Sequence, residues 1–535
     1  MRALTARAPP GPRHNTIVMH KFLLAIGLFL CLQSIGQLPT DVLRYSWTVP
    51  GGTAREQAIG GAMGSLGGDI TSAFVNPAGL GLYKTSEVVL SPGWRFLKDQ
   101  GNYLGTGTKA PAINRFTVGA SGAVFGYGGR DPGVSNAFAI AVNRTADFNS
   151  HVSYQGINTY SSYSEQYVEE FAASGLDINA GISSPSLDYG TRMALYTSLI
   201  DTATMGGILQ VIGQPQKSGR LLQQNDLRSS GGITEIDLSL ATCQHDKWYF
   251  GVSLGIPILS YTRQQTFTES DASGNPNNDF ESFTYRETYT TKGSGANAKL
   301  GFIWSPSTPW RVGLAIHTPS IYGLTDHINA SMITRTENYT SLKQVSISSD
   351  SLDQITGVSP QPNSVTYDLS TPWHFLISGS YIFGSGEANT SKQKGFITAD
   401  LEYVTTHNPH YSVPSDQDQT GASDYYDQVN QAVKQLYKGT YSARIGGEMK
   451  FNTFLVRAGG AYYSNPYAQS GLKVDRLYLS GGLGYRSKAF FADLTYVQRL
   501  SRDIDVPYLL ADKENSYASL KESGGTLLFT IGMKW

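Results

Sequence analysis

The sequence predicts an all-β fold, specifically a fourteen-stranded antiparallel transmembrane β-barrel with a small N-terminal hatch. Three observations predict it. The first is composition: glycine supplies 58 of 535 residues and tyrosine 32, while charged residues reach only 16%, against about 25% in ordinary soluble domains. Hydrophobic content is 40%, and no apolar run attains the ~18 residues that a helical span needs. A bundle of membrane helices is thereby excluded. Lys+Arg 41 against Asp+Glu 42 leaves a net charge of −1, so no basic field exists to hold nucleic acid. The second observation is period-two alternation of apolar and polar residues from about residue 86 onward, which strands keep and helices cannot. The third is the segregation of short and long connections described below. At one domain per ~150 residues the length would suggest three or four domains, a prior that single barrels override.

In chain order, residues 1–36 read as a signal region. An apolar stretch from Phe22 to Leu32 follows His20 and Lys21 and ends in Ser34-Ile35-Gly36. That is the layout of a secretory signal cleaved before Gln37, and the run is too short to anchor by spanning. Arg2, Arg7, Arg13 and three prolines precede Met19, which is read as the true start. Removal of this region would take Cys31 with it and leave Cys243 alone, with no intrachain disulfide. Residues 37–84 form a Gly/Ala-rich segment with a short helix expected around Asp69 to Phe74, stopped by Pro77. Its small residues let backbone approach backbone closely.

The barrel is expected over 85–535, with strands near 86–97, 113–126, 136–155, 231–243, 247–268, 280–305, 309–335, 364–384, 395–407, 439–452, 454–464, 474–486, 488–500 and 524–535. In 440–451, Tyr441, Ala443, Ile445, Gly447, Met449 and Phe451 share one face, while Ser442, Arg444, Gly446, Glu448 and Lys450 share the other. Leu238 and Leu240 oppose Glu235, Asp237 and Ser239, and Ile397 and Leu401 oppose Thr398, Asp400 and Glu402. Links such as His245-Asp246, Asn452-Thr453 and Ser487-Lys488 are short. Those over 156–230, 336–363, 408–438 and 501–523 are long. Short turns on one side and long loops on the other are the layout of an outer-membrane barrel. Ionisable residues on the inner face suit a wet or plugged lumen, and tyrosine and tryptophan suit interfacial girdles. Phe529 and the terminal Trp535 end an alternating strand in the manner that barrel-assembly machinery reads.

Two long loops carry helical patterns. In 156–230, Tyr167, Phe171, Tyr196 and Leu199 could line an apolar access groove for a greasy ligand or pack loop helices on the rim. Residues Tyr425 to Leu436 form the second pattern.

Ala54-Arg55-x-x-Ala58-Ile59-Gly60-Gly61-Ala62, then Asp69, then Asn76-Pro77-Ala78-Gly79-Leu80 resembles the hatch of the FadL/TodX family of outer-membrane transporters for hydrophobic compounds. The resemblance spans the mature chain in architecture, and in specific residues only about 50 to 80. It implies a hatch-plugged barrel, with Asn76, Pro77, Ala78 and Gly79 as hatch motif. It also implies passive uptake of molecules such as long-chain fatty acids or aromatics, without ATP, cofactor or resident metal. Expected partners are the hydrophobic molecule, outer-membrane lipid and the assembly machinery, with the chain a monomer. Asn76 can accept from backbone two residues on, and Pro77 fixes the turn.

Other chemistry finds little support. Gly251-Val252-Ser253-Leu254-Gly255 matches G-x-S-x-G, but that motif needs a strand-to-helix elbow and here lies within a strand, so no enzyme is expected. His407 and His410 are weak metal or haem candidates in an outer loop, and no paired-cysteine zinc spacing exists. Two alternatives to uptake stand: a receptor or interaction module acting through the extracellular loops, and passive haem binding.

Overall fold

The computed structural model describes residues 39–46, 51–129, 131–357, 364–384, 393–414, 422–469, 472 and 474–535. The signal region, Met19 and the cleavage site before Gln37 lie outside the described residues. Fourteen staves form the wall: β1 (Glu87–Leu90 and Pro92–Tyr103), β2 (Ile113–Val118 and Ser121–Gly128), β3 (Ser135–Asp147 and Ser150–Asn158), β4 (Leu221–Gln244), β5 (Trp248–Asp271), β6 (Ser282–Ser307), β7 (Trp310–His317 and Ile321–Arg335), β8 (Ser364–Ser370 and His374–Phe383), β9 (Gly395–Val404), β10 (Thr440–Phe451), β11 (Phe454–Tyr463), β12 (Arg476–Arg486), β13 (Phe490–Asp505) and β14 (Ala518–Lys534). Each is antiparallel to the next, and β14 pairs back onto β1 from Glu87↔Lys534 upward, closing the barrel.

The alternation places side chains as the physics of the two solvents requires. Leu238, Leu240, Ile397, Leu401, Ile445 and Met449 stand exposed on the outside, while Glu235, Asp237, Asp400 and Arg444 are buried inside. An apolar belt of this extent is stable only against hydrocarbon, so the barrel is read as membrane-spanning. No helix among the described residues is long and apolar enough to cross a membrane. Tryptophans follow the girdle expectation: Trp248, Trp304 and Trp310 are exposed beside the short turns, and Trp248 stacks on Trp304 at 5.7 Å. Tyrosines divide: Tyr127, Tyr441 and Tyr496 are exposed on the outside, whereas ten others sit in one buried cluster of the upper lumen. Period-two patterning assigns faces only where one face is apolar, and a tyrosine suits either.

Several strands run beyond their expected ends. Strand β4 begins at Leu221 and β3 ends at Asn158, so their connection is 159–220. Above the lipid belt the outer face need not be apolar, and the alternation that marks a strand fades. Strands β7 and β8 each break at a proline, Pro319 and Pro372, which cannot donate to the ladder. The breaks lie side by side, where Thr371 N–H donates to the Ser320 carbonyl and Ser320 N–H to Thr371 Oγ1. The turn at His245-Asp246 has both residues at positive φ, 57° and 51°, the type I′ geometry that matches strand twist.

The hatch contains helices α2 (Ala54–Ala58) and α3 (Ser72–Val75) and the 3₁₀ turn Pro77–Leu82. A helix not read in the sequence, α1 (Pro39–Ser46), precedes it. The 159–220 loop holds α4 (Glu165–Ser174), α5 (Ile178–Ile182), α6 (Tyr189–Tyr196) and a separate hairpin, Ile200–Met205 with Ile208–Gly213. Helix α7 (Ser349–Thr356) lies in the 336–363 loop, and α8 (Ala422–Leu436) lies in the 408–438 loop.

Candidate functional site

The lower lumen is filled by the hatch, and the Asn76-Pro77-Ala78-Gly79 motif is its point of attachment to β6 and β7. Asn76 is buried and caps the following turn by accepting from Ala78 N–H at 3.2 Å, the Asx geometry expected before a proline. Its amide also donates to the carbonyls of Gly64 at 2.6 Å and of Phe302 and Leu314 at 3.3 Å. One side chain thus ties two hatch turns to two strands. Pro77 crosses β5 so closely that a Cβ on Gly251 would lie 2.2 Å from its carbonyl carbon. A Cβ on Gly301 of β6 would lie 2.1 Å from Asn76 Oδ1. The wall glycines facing the hatch are therefore seats for backbone.

This placement accounts for the G-x-S-x-G pattern. Gly251 makes room for Pro77, and Ser253 donates to the Ala73 carbonyl at 2.8 Å and meets Ser239 Oγ at 2.6 Å. Both groups serve the hatch, and His245 lies in the turn that ends β4.

Polar pins hold the rest of the hatch. Asp400 accepts from Gly64 N–H at 3.0 Å, Arg311 donates to the Leu66 carbonyl at 2.6 Å, and His317 Nε2 bonds the Val75 carbonyl at 2.9 Å. Thr530 Oγ1 accepts from Ala54 N–H at 2.7 Å, and Ser480 donates to the Ala58 carbonyl at 3.1 Å. Within the hatch, Asp69 accepts from Thr53 Oγ1 at 2.8 Å and from Thr71 N–H at 2.9 Å.

Among the described residues the β2–β3 ladder is incomplete. The β2–β3 ladder runs only from Ser121↔Val142 to Gly128↔Ser135. Ile113–Val118 pairs with β1 alone, and no ladder among the described residues joins it to Asn143–Asp147. The hatch bridges this seam. Ala120 N–H of β2 donates to the Gly52 carbonyl at 3.2 Å, and the Asn143 amide of β3 donates to the Gly51 carbonyl at 3.1 Å. A Cβ on Gly119 would lie 2.1 Å from the Gly52 oxygen.

Behind the seam lies a cavity of about 200 Å³. Thr117 to Gly119 and Arg144 to Phe148 border it on the seam side, and Tyr478 and Arg499 face them from β12 and β13. Its guanidinium groups are paired: Arg95 and Arg144 with Asp147 at 3.2 and 3.4 Å, and Arg499 with Glu522 at 2.5 Å. Guanidinium planes held in this way stack on aromatic faces. Above the cavity is the tyrosine cluster, in which α1 is packed with α8 and the upper halves of β4 to β8.

The four residues read as a ligand-access groove share a single environment. Tyr167, Phe171 and Leu199 are buried in a cluster at the long-loop end with Phe267, Phe283 and Tyr508, and Tyr196 packs against it half-buried. They join α4 and α6 to the strand tops. Glu269 is embedded there, well beyond the outermost exposed aliphatic of β5, Ile258. It accepts from Tyr163 N–H at 3.0 Å and Gln223 Nε2 at 2.7 Å. Burial pushes its carboxyl up to about 7, against the opposing effect of these hydrogen bonds.

Phe529 faces outward opposite Leu494, and Trp535 exchanges backbone hydrogen bonds with Ser86, at 3.1 and 3.2 Å. His410 is exposed on a short strand paired with β8, and His407 lies in the preceding turn. No group of three or more His, Cys, Asp or Glu side chains fit to hold a metal occurs among the described residues.

A fourteen-stranded barrel with a hatch, a bridged wall seam and a cavity behind it defines a plugged outer-membrane-type β-barrel fold. The same fold occurs in a Pseudomonas aeruginosa FadL homologue, which is 11% identical with a TM-score of 0.51 over 91% of this chain and 99% of that one. It also occurs in the Pseudomonas putida toluene transporter TodX, 11% identical with a TM-score of 0.50 over 91% and 99%. No family profile and no curated protein sequence matches this chain.

Proposed function

We propose that the protein is a passive outer-membrane channel for hydrophobic small molecules, entered from outside and left through the β2–β3 seam. One observation carries this reading: the cavity lies directly behind a stretch of wall that the hatch closes in place of a ladder. Displacing Gly51-Gly52 breaks two hydrogen bonds and leaves a gap toward the lipid. A ligand leaving there never crosses water, the path an apolar solute favours. The movement we propose is passive, down the solute's own gradient.

The cavity size supports single-ring molecules over long-chain fatty acids. Its volume of about 200 Å³ is of the order of the ~150 Å³ that holds benzene, and its lining arginines offer cation–π faces to a ring. TodX is a toluene transporter by description, which agrees with this choice. We assign Asn76, Pro77, Ala78 and Gly79 to hatch anchoring, Phe529 and Trp535 to recognition by the assembly machinery, and no metal to His407 or His410.

The test is uptake by proteoliposomes of toluene, oleate and glucose. Toluene entering faster than into protein-free vesicles, with glucose excluded, supports the reading. Asn143→Ala, which removes the amide that holds the Gly51 carbonyl across the seam, should speed toluene entry with glucose still excluded. Equal entry of all three solutes, or Asn143→Ala without effect, overturns it.

A further inference from the structure

The upper lumen carries a site more specific than a hydrophobic funnel. Tyr45 of α1 is 1% exposed. Its ring is wedged between Phe148, with centroids 6.0 Å apart at 59°, and Tyr261, 6.0 Å apart at 71°. Phe148 and Tyr261 meet each other edge-on at 5.5 Å. These are the tilted arrangements that aromatic quadrupoles favour. At the far end, Tyr45 O–H donates to Thr291 Oγ1 at 2.8 Å, and Thr291 donates its own proton to Asp326 at 2.6 Å. Asp326 also accepts from Tyr289 O–H at 2.5 Å and Tyr367 O–H at 3.3 Å.

We propose that this pocket is a binding site for a hydroxylated single-ring aromatic molecule, and that Tyr45 is the chain's own surrogate for it. The inference rests on the uptake reading and names its substrate class. The hydrogen-bond polarity selects the ligand. Thr291 has committed its proton to Asp326, so it can only accept. A phenol supplies the required donor, an unsubstituted ring supplies nothing, and a carboxylate would bring a second negative charge toward Asp326. A buried acceptor left unpaired costs about 1–3 kcal/mol, which sets the discrimination at roughly fivefold or more.

Tyr45 is carried by an element suited to give way. Helix α1 has eight residues, too few to hold its shape without packing. Arg44 lies over the Tyr261 ring at 4.5 Å and pairs within the helix with Asp41. The pocket also communicates with the exit path. Phe148 touches Tyr45, lines the cavity and lies at the break in β3, between Ser135–Asp147 and Ser150–Asn158. A ring released from beside Phe148 therefore arrives behind the seam.

The experiment uses p-cresol, toluene and p-methylanisole, which share a ring and differ in the donor. Calorimetric titration of Tyr45→Ala in detergent should give p-cresol about tenfold tighter than either other probe. Adding Thr291→Val should remove that preference. In the full chain carrying Val42→Cys and Cys243→Ser, p-cresol should raise maleimide labelling several-fold, and toluene should raise it less. Tyr45→Phe in that background keeps the ring, loses the hydroxyl, and should label faster without ligand. Equal affinities for the three probes overturn the proposal, as does labelling indifferent to p-cresol, which would make Tyr45 a structural plug. If Tyr45→Ala does not fold, the labelling arm decides alone. Toluene and p-cresol entering proteoliposomes at equal, unsaturable rates would defeat the phenol site and leave uptake standing, whereas neither entering would defeat uptake itself.

Discussion

The two halves of the lumen are filled by neighbouring parts of the chain in opposite ways. The hatch, below, meets the wall through backbone carbonyls and amides, seated on glycines and pinned by Asn76, Asp400, Arg311 and His317. Helix α1, above, meets the wall through aromatic rings. Directional bonds to backbone fix one geometry, because each lost partner leaves a buried polar group unsatisfied. Ring packing tolerates replacement by another ring. The comparison teaches why the hatch is the fixed filling and α1 the one proposed to give way, and that among the described residues Gly51 and Gly52 combine a hatch position with a bridge across the seam.

The contrast can be broken most forcefully at a glycine seat. Gly251→Val should force Pro77 off β5, since no rotamer relieves a Cβ within 2.2 Å of backbone. We expect a cost of about 3 kcal/mol, the upper end for overpacking, and a large rise in single-channel conductance. An unchanged conductance would mean that the hatch does not seal the lumen. Asn76→Ala comes next, costing about 2 kcal/mol through the unpaired Gly64 carbonyl and the lost cap. Hydrogen exchange should quicken at Ala78 and Gly79 while β10 to β14 keep their protection. Truncation of residues 1–46 should be milder still, lowering the melting temperature by only a few degrees while leaving hatch exchange unaltered. A collapse of hatch protection in that variant would erase the distinction between the two fillings.

The smallest effect sharpens the comparison from outside the lumen. Glu269 is protonated in the folded loop cluster well above the ordinary carboxylate range. A raised carboxyl contributes stability in full below its unfolded range, and that contribution is lost as pH rises through about 7. Trypsin cleavage within 159–220 should accelerate across that interval, and Glu269→Gln should flatten the dependence. The hatch, which has no share in Glu269, should show no parallel change.

Fourteen staves were legible because lipid imposes a single rule on every second residue, as in Tyr441 to Phe451. The seats of the hatch were legible only as a glycine count: nothing local to Gly251 or Gly301 announces Pro77 or Asn76 as its neighbour. The seam escaped notice for a related reason. Residues 113–118 look like any strand, and only their partner ladder is missing. Helix α1 was missed because its eight residues take their order from tyrosines hundreds of positions away. Tyr167, Phe171, Tyr196 and Leu199 read as apolar stripes, yet a stripe does not say whether it faces a ligand or another helix. Here α4 and α6 close over the strand tops.

The partition of aromatic residues has an optical consequence. All the described tryptophans, from Trp94 to Trp535, lie on the outer surface, whereas the upper lumen is walled by tyrosine. The described tryptophans therefore form a single chromophore population on the outer side of the wall, apart from the upper lumen. Red-edge excitation interrogates the lipid boundary through them, so unlabelled protein can be titrated while that boundary is followed without signal from the upper lumen.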